Sequence, residues 1–76
     1  MKIFRCQDIG LASFLKLSGA VVIDLVHERD HFLFEFDEQN KCNQLASDFW
    51  NKKAVGNIKE YEEAKQTLIS MIKNKK

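Results

Sequence analysis

Phenylalanine recurs at every second position in Phe32-Leu33-Phe34-Glu35-Phe36, and no other stretch of the chain narrows its fold as far. A period of two places all three rings on one side of a β-strand. That side must be covered, because burying a phenylalanine stabilises a fold by about 1.5–3 kcal/mol and a small domain has few other contributions of that size. His31 to Phe36 is therefore expected to be a strand with Phe32, Phe34 and Phe36 towards a core. Leu33 and Glu35 then lie on the opposite face.

The residues just before it, Ala20 to Glu28, are mostly β-branched or aliphatic and read as the partner strand, joined through a turn at Arg29 and Asp30. Opposed residues of an antiparallel pair share a face. Pairing Glu28 with His31, Val26 with Leu33 and Asp24 with Glu35 thus sends Val21, Ile23, Leu25 and His27 to the phenylalanine side. It leaves Val22, Asp24, Val26 and Glu28 on the other. The connection must be of even length, and the lack of glycine makes four residues as acceptable as two.

Helices occupy the rest. Asp8 is placed to cap a helix running to Lys16 or Ser18, which Gly19 then stops, and Leu11, Ala12, Phe14, Leu15 and Leu17 make that helix apolar on more than one side. Asp37 is expected to cap a second helix, whose stripe Cys42, Leu45, Ala46, Phe49 and Trp50 follows helical spacing throughout. Asn57-Ile58-Lys59-Glu60 has the form of a capping box and opens a third, with Tyr61, Ala64, Leu68 and Ile72 inward. Ile3, Phe4 and Cys6 suggest a short first strand within Lys2 to Cys6. The expectation is a single α+β domain over residues 1–76: a small three-stranded mixed sheet, order β-α-β-β-α-α, with helices packed on one face. A right-handed crossover makes the first two strands parallel, either adjacent or flanking the third. The flanking arrangement is preferred, because Asp24 opposite Glu35 is a like-charge pair that Arg5 could then relieve.

With 12 basic and 11 acidic residues among 76, the net charge is +1, which gives no global drive towards nucleic acid. The apolar fraction of 45% is enough to offset chain entropy, so disorder is not expected. No apolar run approaches the roughly 20 residues of a membrane helix, and the N-terminus lacks the pattern of a signal peptide. A cytoplasmic protein without a membrane partner is expected.

Chemistry-bearing arrangements are weak. His27 and His31 flank the turn near Glu28 and Asp30, but parity puts the imidazoles on opposite faces, which disfavours a shared metal. Cys6 and Cys42 form no Cys-x-x-Cys, and Cys42 lies on a core stripe, so both read as buried thiols and not as nucleophiles. No phosphate loop, nucleophile elbow or calcium loop occurs. The phenylalanine strand could imitate a base-stacking platform, yet its interleaved residues are Leu33 and Glu35, and acid repels phosphate. No catalytic residue, metal or cofactor is assigned.

Two surfaces remain. The face of the sheet opposite the phenylalanines would present Ile3, Arg5, Val22, Asp24, Val26, Leu33 and Glu35, a mixture rich in apolar residues for a solvated face. It points to a protein interface, either a homodimer or a protein partner. The alternative is a nucleic-acid accessory protein using Lys52 and Lys53 beside Trp50, together with Lys73, Lys75 and Lys76.

Ile3-Phe4-Arg5-Cys6-Gln7-Asp8-Ile9-Gly10-Leu11-Ala12, then Phe14-Leu15, Gly19, the Phe-x-Phe-x-Phe strand before Asp37, and Phe49-Trp50-Asn51 resemble a family of short prokaryotic and phage proteins classed as a domain of unknown function. The likeness spans most of the chain. It implies a bacterial, archaeal or phage gene and a stand-alone domain, and brings no catalytic residue with it.

Overall fold

β3 (His31–Phe36) is the central strand, with β1 (Phe4–Cys6) on one side and β2 (Val22–Glu28) on the other. The computed structural model describes residues 2–75, the last of them by its backbone alone. Both ladders are antiparallel. β1 and β2 run in the same direction but share no hydrogen bonds, so the sheet is antiparallel throughout and not mixed in its pairing. Rows of side chains cross it. Phe4, Phe36 and Val22 form one row on the inner face, and Cys6, Phe34 and Leu25 form the next, with Phe34 and Phe36 fully buried.

α1 (Ile9–Leu17) begins where expected, because the Asp8 carboxylate accepts from the N–H groups of Gly10 and Leu11 at 2.7 and 3.2 Å. Five consecutive residues, Leu11 to Leu15, are buried, since the helix is sandwiched between the sheet and its neighbours. Ser13 removes its own polar penalty by donating to the Ile9 carbonyl at 2.7 Å. The chain then turns at Gly19, whose φ of +99° is one that side chains rarely adopt.

α2 (Gln39–Trp50) starts differently from the expectation. Asp37 does not cap it: its carboxylate takes the N–H of Glu38, and Glu38 itself sits at the N-cap in the left-handed region, φ 58°. α3 (Ile58–Lys75) is capped by Asn57, which accepts from the Glu60 N–H at 3.1 Å, and it inserts Ala64 and Leu68 into the core. α1 packs on α3 and β1, α2 on α1 and β1, and α3 on β2. The Cα envelope measures 33 × 30 × 18 Å, a thickness that holds one sheet and one helical layer. No described helix covers the outer face of the sheet.

Two details depart from strict alternation. The hairpin closes with only Arg29 and Asp30 between paired Glu28 and His31, and Arg29 takes φ 49°. In β2, Val22 pairs with Phe36 and Asp24 with Glu35, so Ile23 is a bulge. Side chains before the bulge therefore change faces. Val22 turns to the core, and Val21 and Ile23 become exposed, the reverse of the expected assignment. The Asp24 carboxylate accepts the Leu25 N–H at 2.8 Å beside the irregularity.

Candidate functional site

The outer face of the sheet assembles most of the residues expected there. Arg5, Glu35 and Asp24 form one cross-strand row, Leu33 and Val26 the next, and His31 and Glu28 the third. Arg5 Nε donates to Glu35 Oε2 at 2.8 Å, and so relieves the like-charge pairing of Glu35 with Asp24. Val26 and Leu33 are half-buried against each other and against the flanking side chains. Ile3 is half-buried just before β1, and its carbonyl accepts from Gln39 at 3.4 Å. Val22 leaves this face because of the bulge, and Ile23, 43% exposed, stands beside it at the edge strand. One cation faces three carboxylates here, Asp24, Glu28 and Glu35.

A second apolar surface, not expected from the sequence, lies at the end of α2. Trp50 closes the expected core stripe of α2 yet is 60% exposed at the last residue of the helix. Phe49 takes the inward place, with its ring 5.7 Å from Phe14. Trp50 meets Phe49 edge-on at 5.1 Å. Next to this pair opens a groove of about 180 Å³ lined by Phe14, Leu17, Phe49, Val55, Ile58 and Tyr61. Val55 and Ile58 are 88% and 82% exposed. The linker is held down at Gly56, where even a Cβ would come within 3.1 Å of Leu17. Tyr61 reaches from α3 to the Gly10 carbonyl, at 3.3 Å.

The proposed basic patch does not come together. Lys52 and Lys53 follow α2 near the start of α3, whereas Lys73 lies fifteen residues along α3, about 22 Å further on. The side chain of Lys75, like Lys76 as a whole, lies outside the described residues.

The chain's thiols and imidazoles are placed as follows. Cys6 and Cys42 are free and buried, and each donates to a backbone carbonyl, of Asp8 at 3.2 Å and Asp37 at 3.4 Å. Burial pushes the Cys6 thiol up to about 11, with the Asp8 charge adding to the shift. It raises Cys42 as well, aided by Glu38. Cys6 and His27 share a face but stand two strands and two residues apart, about 12 Å between Cα atoms and beyond a proton-transfer contact. His27 stacks on Phe32 at 4.5 Å, and His31 points to the other side, 3.5 Å from the Asp30 carboxylate. Among the described residues no group of three His, Cys, Asp or Glu is placed to hold a metal. A hollow beside β2, lined by Val22, Ile23, Asp24, Leu25, Met71 and Asn74, offers one carboxylate and no base to pair with it.

These features define a small open-faced α+β domain with apolar and charged surface patches. The chain belongs to the family described as domain of unknown function DUF5659, whose sequence profile matches residues 1–75. No curated protein and no solved structure matches it. No described helix is long and apolar enough to cross a membrane.

Proposed function

We propose that this chain is a small non-catalytic interaction module of a bacterium or phage, acting in the cytoplasm, which binds a protein partner through the outer face of its sheet. The observation that carries the reading is the uncovered face itself, where Val26 and Leu33 form an apolar centre between Arg5, Asp24, Glu28 and Glu35. A two-layer fold with helices on one side only leaves such a face for another molecule. The excess of carboxylates suits a partner that surrounds an apolar centre with cations. A second copy would bring acid against acid, so a foreign protein is favoured over the homodimer. Nucleic acid is disfavoured by the same carboxylates and by the separation of Lys52 and Lys53 from Lys73.

The test is a photo-crosslinking residue at Val26, with a control at Glu62 on α3, introduced into the chain in its native cell. A discrete adduct with a second protein from position 26 and not from position 62 supports the reading. An adduct of twice the chain mass reassigns the face to self-association. Equal labelling from both positions, or none from position 26, overturns the proposal.

A further inference from the structure

The segment from Trp50 to Lys59 combines three properties that occur together nowhere else on the described surface. It exposes three large apolar side chains, Trp50, Val55 and Ile58. It carries three exposed lysines, Lys52, Lys53 and Lys59, with the exposed Glu60 at its border. It also holds Lys52 in the left-handed region, φ 61°, where a side chain is strained and glycine is the usual occupant. We propose that this segment is a peripheral membrane-binding knuckle that inserts Trp50, Val55 and Ile58 into an anionic lipid surface.

The choice of occupant follows from the chemistry of the patch. Val55 and Ile58 stand out from the fold, and the groove behind them, at about 180 Å³, is too small to seat a helix. Tryptophan prefers the boundary between apolar chains and water, where its ring is buried and its N–H remains wet. Lysine is depleted from the centres of protein interfaces, yet beside a bilayer its stem lies along the apolar layer while the ammonium reaches the headgroups. Three lysines against one bordering carboxylate, Glu60, leave a net positive charge that complements an anionic leaflet and repels a second copy of the same segment. Base stacking would use Trp50 but gives Val55 and Ile58 no role. Apolar insertion and charge are each weak anchors alone, and stable attachment takes two such signals together.

The chain holds one tryptophan, so intrinsic fluorescence reports on this segment alone. The full chain is mixed with phosphatidylglycerol-containing vesicles or with pure phosphatidylcholine vesicles, and Trp50 emission and co-sedimentation are recorded. The expected result is a blue shift and sedimentation with the anionic vesicles only, abolished in Val55→Asp/Ile58→Asp. Both substituted residues are exposed, so circular dichroism should be unchanged. Each single Lys→Gln change at 52, 53 or 59 should weaken partitioning by about fivefold. No shift with anionic vesicles, equal binding to phosphatidylcholine, or binding that survives Val55→Asp/Ile58→Asp overturns the proposal. A blue shift produced without lipid, by single-stranded RNA or by raising the protein concentration, also overturns it and assigns the patch to that partner instead.

Discussion

α1 and α2 end with the same pair of backbone hydrogen bonds and do so on opposite kinds of residue. After α1, the N–H groups of Gly19 and Ala20 return to the carbonyls of Lys16 and Leu15 at 3.1 and 3.0 Å. After α2, those of Lys52 and Lys53 return to Phe49 and Asp48 at 3.2 and 2.7 Å. Both are Schellman closures, which need one residue at positive φ. At the first, glycine takes that place and the next residue, Ala20, enters the core. At the second, a lysine takes it, Trp50 stays outside, and the chain runs exposed from Trp50 to Glu60. Local stability is served at the end of α1. At the end of α2 the closing residue is strained and the side chains beside it face outward.

The contrast predicts unequal responses to substitution. Leu15 is fully buried one turn before the first closure, so Leu15→Ala should lower unfolding free energy in urea by about 2–5 kcal/mol. Trp50→Ala, at the exposed last residue of α2, should change it by about 1 kcal/mol or less, read by circular dichroism because the fluorophore is lost. Equal costs would erase the distinction between the two ends. Both thiols are free and buried. Cys6, packed at the entry to α1, has its ionisation raised to about 11, so its neutral form favours the fold. That contribution is complete below pH 9 and fades as pH rises from about 9 to about 11. The urea midpoint should therefore fall more steeply over that range in the native chain than in Cys6→Ala. Gly19→Ala should cost about 0.5–1 kcal/mol net, left-handed strain partly offset by the stiffer unfolded chain, since the added Cβ meets only the Lys41 ammonium at 3.7 Å.

What the sequence made legible were the features encoded locally. Alternating phenylalanines fix the face of β3, Asp8 and Gly19 bracket α1, and the stripe from Tyr61 to Ile72 orients α3; all need only neighbours in sequence. The bulge at Ile23 was not legible, because Val21, Val22 and Ile23 are apolar in succession and nothing in such a run distinguishes one register from the next. Packing against Phe36 makes the choice, and with it Val22 leaves the outer face. Arg5, Asp24, Val26, Leu33 and Glu35 kept their expected places because they lie beyond the irregularity or on other strands. Trp50 satisfied helical spacing but not coverage: periodicity assigns a direction, and only the neighbouring elements determine whether anything lies in that direction. The adjoining Lys52-Lys53 was the one hint that the stripe had run past its partner.

The finest test of the comparison is to make the second closure resemble the first. Lys52→Gly removes the Cβ that disfavours φ 61° and keeps both closing hydrogen bonds, which use only backbone atoms. Relief of left-handed strain is worth about 1–2 kcal/mol, and the greater freedom of glycine in the unfolded chain takes back about 0.4–1 kcal/mol. A net gain of about 0.5–1 kcal/mol is expected, visible as a higher urea midpoint with an unchanged slope. Gly19→Ala carries the opposite sign, so the pair of variants isolates the residue at the closure from the closure itself. If Lys52→Gly destabilises, the lysine makes a contact that outweighs its strain, and the end of α2 is held for stability after all. If it stabilises and also weakens partitioning to phosphatidylglycerol vesicles about fivefold, as loss of one cation requires, the strained lysine is there for what it meets outside the fold.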